Sequence, residues 1–382
     1  MCGIFGQFSF NQSPLDPKLI AEVAKTIKHR GPDAFGVYSD DLVMLGNQRL
    51  SILDLSDKSN QPMSSDDGNV VVVQNGEIYN FIEIREQLKL KGQKFYSGGD
   101  TEVILRAYQF WGLDFIKHLN GMFAIAIYDK RRTALYLYRD RLGVKPLFYT
   151  DEPRNGRIWF ASEIKAILKN GLDYRPSVDS IAQYFALNYV PQPSTIFDGI
   201  RHVPPGHMLQ IDLHTGVKLQ KYWDLSETQP VEGMSEAEAK IGIIKHLDDA
   251  TRIRMRSDAP FGAFLSGGID SSSVVAFMSM YHPEQLKTFS IGFEDQRFDE
   301  SYFARLASNR FGTDHTIEVC DASSSKKWDE FIHFCDQPHG DVSFIPMLQV
   351  SELAASQVKM VMTGDGGDEI FAGYDKYKKF FE

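Results

Sequence analysis

Cysteine is scarce in this chain. Cys2, Cys320 and Cys335 are the three present in 382 residues. They are too few for a disulfide framework and lack the paired spacing of a zinc site, so a reducing compartment is expected. Long apolar runs are missing too. Nothing approaches the roughly 20 residues of a membrane-spanning helix, and the first residues lack the basic flank and apolar core of a signal peptide. A cytoplasmic protein with no membrane partner is the expectation. A basic surplus is also absent: the net charge is -10. Binding a phosphate backbone needs a clustered basic surface, so no nucleic-acid partner is expected. What remains is an ordinary globular composition, 43% hydrophobic and 24% charged, at a length that suits two or three domains.

Hydrophobic periodicity divides the chain. In the first half, Gly3 to Phe10 and the valine run in Asn69 to Gln74 read as buried strands, and Met122 to Tyr128 with Ala134 to Tyr138 as a hairpin around Asp129 to Arg132. Apolar residues at helical spacing predict helices over Leu15 to Lys28, Phe81 to Leu90 and Thr101 to Trp111. Pro191, Pro193, Pro204 and Pro205 mark a connection, and the first domain is expected to cover residues 2–215. A polar stretch from Ser226 to Glu238 leads into a charged helix up to Arg256 and opens a second domain, 226–382. There strands over Phe261 to Leu265, Thr288 to Phe293, His315 to Val319 and Val358 to Thr363 alternate with helices over Ser272 to Met280, Glu300 to Phe311 and Pro346 to Ser356. That alternation predicts a doubly wound parallel sheet.

The chemistry-bearing residues of the first half begin at its end. Met1 precedes Cys2 and Gly3, and removal of the initiator leaves a thiol beside its own α-amine, a base that titrates near pH ~8. On its own, Cys2 also reads as a small buried residue at a strand start. The context is CGIFG (Cys2 to Gly6), RGPD (Arg30 to Asp33), NQRLSILD (Asn47 to Asp54), QNGEIYN (Gln74 to Asn80) and GGDTEVIL (Gly98 to Leu105). In order and spacing these resemble the class II, N-terminal-nucleophile (Ntn) glutamine amidotransferases. Glutamine is a zwitterion with a side-chain amide. Arg49 can grip its carboxylate, Asp100 can take its ammonium, and the resemblance gives Asn75 and the Gly76 amide to the oxyanion hole. It also implies Leu50 and Glu77 as glutamine contacts. The bland alternatives are a surface charge for Arg49, a hairpin turn for Asn75-Gly76 and a helix cap for Asp100.

The second half carries SGGIDSS (Ser266 to Ser272) between a strand and an apolar helix. Gly267 and Gly268 admit close approach of phosphate, and Ser266, Ser271 and Ser272 add donors. The lysine of a Walker A loop is missing. Asp270 repels phosphate directly, which a bridging Mg²⁺ resolves. The loop resembles that of the ATP pyrophosphatases. With TGDGGDEIFAGY (Thr363 to Tyr374) and DQPHGDVSFIP (Asp336 to Pro346) it is similar to the glutamine-hydrolysing asparagine synthetase family. That resemblance implies Asp365 in adenylate formation, Asp368 as partner of Asp270 at the metal, and Leu265, Ile291, Thr363 and Gly364 at the adenosine.

The implied fold class is α/β and α+β: an N-terminal Ntn-type αββα sandwich followed by an incomplete doubly wound parallel α/β ATP-pyrophosphatase domain. The implied reaction uses glutamine, ATP and Mg²⁺ to amidate a carboxylate, aspartate by resemblance, with ammonia passing through an internal tunnel. A homodimer is compatible with it. Synthetase domains of this family continue through a helical region with a catalytic lysine, so a fragment, a truncated frame or a degenerate paralogue is expected. Such a chain is expected to hydrolyse glutamine without making asparagine. The competing readings are an amidotransferase for another carboxylate, a glutaminase with a nucleotide-binding half, and a non-catalytic nucleotide-binding protein.

Overall fold

The computed structural model describes residues 1–320 and 326–381. The chain forms two compact units. One comprises Met1–Pro230 with Phe334–Gly340, the other Val231–His333 with Asp341–Glu382.

Two six-stranded sheets make the centre of the first unit. One runs in the order Ile200–His202, Phe148–Thr150, Arg157–Ala161, Gly3–Ser9, Val43–Arg49, Ala34–Ser39. The other runs Gly216–Lys221, His207–Asp212, Ala134–Arg139, Gly121–Asp129, Val70–Ile78, Met63–Ser64. The valine run shows how they stack. Successive side chains of a strand point to opposite faces, so Val71 and Val73 enter a core shared with Ile4, Phe8 and Leu45 of the other sheet. Val70 and Val72 instead meet Ile84, Leu88, Val103 and Ile104 of the helices Phe81–Leu90 and Asp100–Trp111. Each such burial contributes about 1.5–3 kcal/mol. On the far face of the first sheet, Phe5 and Met44 pack against Val23 of the helix Pro17–Thr26, Ile27 just after it, and Ile164 and Ile167 of the helix Ile164–Leu168. Helix, sheet, sheet, helix is the four-layer αββα order.

Three local expectations shift. The first helix starts at Pro17, capped by the Asp16 carboxylate on Lys18 N, and the last turn tightens into a separate 3₁₀ piece over Lys28–Arg30. Gly216–Lys221 pairs antiparallel with His207–Asp212, so the first unit runs past residue 215. Asn75 and Gly76 sit inside a strand, opposite Ala124 and Phe123, which removes the hairpin-turn alternative.

The second unit holds four parallel strands in the order Asp314–Cys320, Lys287–Phe293, Phe261–Phe264, Met360–Met362. Helices cover both faces. Val275, Met278 and Ala304 pack with Ala263 and Leu265 on one side, and Val350 and Ala354 with Phe289 on the other. The last strand is shorter than its apolar run, because Val358 N still bonds to the helical Ala354 O at 2.8 Å. Strand order reverses between Phe261–Phe264 and Met360–Met362. Open α/β sheets bind ligands at such a reversal, beyond the carboxyl ends of the strands.

Candidate active site

Cys2 lies one residue before the Gly3–Ser9 strand, beside the end of Val43–Arg49. Its Sγ accepts from Leu50 N at 3.4 Å and lies 3.6 Å from Leu50 O. Its main-chain carbonyl accepts from Arg30 Nε at 3.0 Å. Burial pushes the thiol up, while the Leu50 amide and the neighbouring α-amine pull the other way. The α-amine of Met1 is pushed down to about 5, by burial first and then by Arg30 and Lys145. Burial thus favours the neutral form of the Met1 amine at pH 7. Lys145 is itself buried, which brings its ammonium down to about 8.

Asp100 opens its helix, but the cap position belongs to Gly99. The carboxylate reaches across to the Val70–Ile78 strand, accepting from Ile78 N at 2.9 Å and Gln74 Nε2 at 2.8 Å. Burial raises it, and these bonds oppose the rise. Its charge and that of Arg49 both act on Cys2. On the same strand Asn75 is fully buried, and neither atom of its side-chain amide has a partner among the described residues. Gly76 has φ +148, and a Cβ there would sit 2.0 Å from Met122 O. Glu77 follows, its carboxylate felt at Lys145.

Arg49 departs from expectation. Its terminal nitrogens donate to Ser56 O at 3.0 Å, Asn60 Oδ1 at 2.7 Å, Leu53 O at 3.2 Å and Asp54 O at 2.5 Å. The terminal nitrogens of the guanidinium are engaged by the loop that follows its own strand, so Arg49 braces that loop.

In the second unit the two glycine-rich loops meet at the strand-order reversal. Gly268 caps the helix Ile269–Tyr281, Ser266 Oγ lies 3.0 Å from Ser271 Oγ, and Gly268 N donates to Ser266 Oγ at 3.3 Å. Gly267 has φ +89, with Ala304 N only 2.4 Å from where a Cβ would be. A Cβ on Gly364 would lie 2.6 Å from Ser271 N, and one on Gly367 2.4 Å from Asp270 Cγ. The loops are thus in contact. Asp270 is raised by burial and then by the charges of Asp368 and Glu369. Asp365 is exposed and accepts from Thr363 Oγ1 at 2.8 Å. The side chains of Leu265 and Ile291 pack into cores on opposite faces of the sheet. Among the described residues no three His, Cys, Asp or Glu side chains form a metal cluster. The pair Asp270 and Asp368 nonetheless suits Mg²⁺, which takes one or two carboxylates and fills its shell with phosphate and water.

Sequence reasoning passed over Asp54, Glu163 and Asp336. Asp54 accepts from Ser56 Oγ at 2.6 Å, Ser59 Oγ at 2.9 Å and Gly98 N at 2.6 Å. It ties the loop of Arg49 to the glycines before Asp100. Its carboxyl is held at about 2, those bonds overcoming the effect of burial. The Asp-x-Ser-x-x-Ser pattern was a visible signal, since such carboxylates bond local donors.

Comparison with known proteins matches residues 1–223 to a glutamine amidotransferase domain and residues 242–381 to asparagine synthase. A putative glutamine-hydrolysing asparagine synthetase 2 of Methanocaldococcus jannaschii is 37% identical, over 98% of this chain and 76% of that protein. Asparagine synthetase 1 of Bacillus subtilis is 36% identical, over 99% of this chain and 60% of that protein. The amidase chyE of Penicillium rubens is 35% identical, over 92% of this chain and 54% of that protein. The chain therefore spans about three quarters of the archaeal relative and little more than half of the other two.

Proposed function

The chain belongs to the glutamine-hydrolysing asparagine synthetase family, and on that premise we propose that it releases ammonia from glutamine at Cys2 and uses ATP to turn a carboxylate into an amide. Aspartate is the substrate that the names of the relatives favour.

In this reading the Cys2 thiol passes its proton to the α-amine exposed by loss of Met1, and its sulfur attacks the glutamine amide carbon. Asn75 and the Gly76 amide hold the oxyanion, ammonia leaves with the transferred proton, and water cleaves the thioester to glutamate. Asp100, already facing its strand, takes the substrate ammonium. The observation that carries this is Asn75. A buried amide with no partner costs about 1–3 kcal/mol, and such a cost is retained where a ligand supplies the missing bonds.

In the second unit Ser266, Gly267, Gly268 and Ser271 offer donors to the phosphates of ATP, and Thr363, Gly364 and Asp365 line the facing loop. Asp270 and Asp368 would hold Mg²⁺, which neutralises phosphate charge when bound. The similarity to a fungal amidase favours a second reading, in which the carboxylate is not aspartate.

The test is to incubate the purified chain with glutamine, aspartate and Mg·ATP and to quantify glutamate, asparagine and pyrophosphate. Cys2→Ala is expected to abolish glutamate release and leave ATP binding intact; hydrolysis at the parent rate would remove Cys2 from the mechanism. Pyrophosphate that depends on a carboxylate other than aspartate would select the second reading.

A further inference from the structure

Residues 334–340 belong to the first unit although both flanking stretches of chain belong to the second. Several contacts stitch them in. The Phe334 ring meets His29 edge-on at 5.0 Å, Gln337 Oε1 accepts from Ile196 N at 3.2 Å, and Gly340 N donates to Asn188 O at 2.7 Å. Asp336 sits at φ +63, a left-handed conformation that Asp tolerates better than most residues.

Asp336 completes a helix that cannot cap itself. Glu163 occupies the cap position of Ile164–Leu168 but makes no capping bond, because its carboxylate is turned elsewhere. Glu163 Oε1 lies 2.9 Å from His29 Nε2 and 2.8 Å from an Arg30 terminal nitrogen, and Oε2 lies 2.6 Å from Lys165 Nζ. Burial would raise this carboxyl; His29, Arg30 and Lys165 overcome that and hold it far below the usual range. The unmet amides at the helix start are taken by Asp336, which accepts from Ile164 N and, at 3.1 Å, from Lys165 N. Lys165 Nζ is also 3.1 Å from Asp336 Oδ1. Arg30, at the other end of the series, donates to the Cys2 carbonyl.

We propose that Asp336 is a positioning residue for the Cys2 nucleophile, acting through Lys165, Glu163 and Arg30. This rests on the glutaminase reading above. With the Asp336 charge present, Lys165 is shared between two carboxylates and Glu163 keeps a firm hold on Arg30. Without it, or without the Lys165 bridge to it, the helix start beside Glu163 loses its tether, Glu163 shifts, and Arg30 no longer fixes the peptide that carries the thiol. Asp336 touches none of the groups assigned to glutamine, so the effect belongs to turnover and not to binding.

The experiment compares the full chain with Asp336→Asn, Lys165→Met and the double variant. It reads kcat and KM for glutamine hydrolysis, the rate of Cys2 alkylation by iodoacetamide followed by mass spectrometry, and the thermal midpoint. Expected are a roughly tenfold lower kcat, a KM within about twofold of the parent, a several-fold change in alkylation, and a double variant no worse than the poorer single one. If Asp336→Asn lowers the thermal midpoint steeply, Lys165→Met carries the comparison. Parent-like kcat and alkylation in both single variants, or losses that simply add, would overturn the proposal. A parent chain that hydrolyses no glutamine would instead refute the glutaminase reading, and the alkylation rates would still decide the part played by Asp336.

Discussion

The two glycine-rich regions of this molecule look alike on paper and behave differently in three dimensions. Gly76 and Asn75 lie within a strand whose faces are both covered, next to a carboxylate and a guanidinium that are themselves buried. Gly267, Gly364 and Gly366 lie in loops beyond the ends of a four-stranded sheet, beside acidic groups open to water. The first region is held in shape by two sheets. The second is assembled from loops and carries unbalanced negative charge, so its working form depends on what binds there.

The sharpest way to break that contrast is one substitution made in both regions. Gly76→Ala must place a Cβ against Met122 O in a backbone that side chains rarely adopt. A loss of about 3–5 kcal/mol in chemical denaturation, with glutaminase activity abolished, is expected. Gly366→Ala has φ +98 but nothing within 4 Å of the new Cβ, so only backbone strain of about 1–2 kcal/mol is expected. Equal losses would mean that the two loops are held with similar rigidity.

Next in size is Asn75→Ala. Removing the proposed oxyanion donor is expected to lower kcat by about 10²–10³-fold, while stability changes little because the lost amide had no partner among the described residues. Steady-state kinetics together with a thermal melt checks this. A rise in KM at constant kcat would make Asn75 a ground-state contact.

The smallest effect is electrostatic and differs in sign between the regions. Asp270 is raised in the fold, so at pH 7 its ionised form disfavours folding, and that penalty fades on acidification toward the unfolded value near ~4. Asp54 is depressed to about 2. Its stabilisation is present above that unfolded value and is lost as pH falls through about 2. Asp270→Asn is therefore expected to melt slightly higher than the parent at pH 7, with the gap closing toward pH ~4. Adding Mg·ATP is expected to reverse the order, because the parent alone retains the proposed metal ligand. A variant that melts lower at pH 7 without metal would show that Asp270 is a structural acceptor.

Much of the fold was legible because it rests on short-range regularities. The valine run, the Phe81 to Leu90 periodicity and the strand–loop–helix at Ser266 each carry their own signal, and the structure places all three as expected. Arg49 shows what such regularities leave out. Its type and motif suggested a substrate clamp, but only the folded loop reveals four oxygens already occupying the fork. Leu265 and Ile291 were grouped by resemblance, yet strand alternation sends them to different faces. Asp336 opens a motif visible in the sequence, but its link to the helix beside Glu163 carries no sequence signal, since the bond that joins it to Ile164 spans 172 positions.

By itself the sequence determined which residues pair with water and which with one another, and therefore the strands, the helices and the two glycine-rich loops. It also determined the chemical kinds on offer: a thiol next to the terminal amine, a primary amide, carboxylates near a phosphate-type loop. Tertiary structure alone decided how those kinds are charged and aimed. Burial lowers the amine and raises the thiol, the sheet stacking leaves Asn75 without a partner among the described residues, the reversal of strand order brings Asp270 to Asp368, and a distant segment caps the helix that follows Glu163. The physical reason is that local propensity acts between neighbours in the chain, whereas desolvation and Coulomb interaction act between neighbours in space.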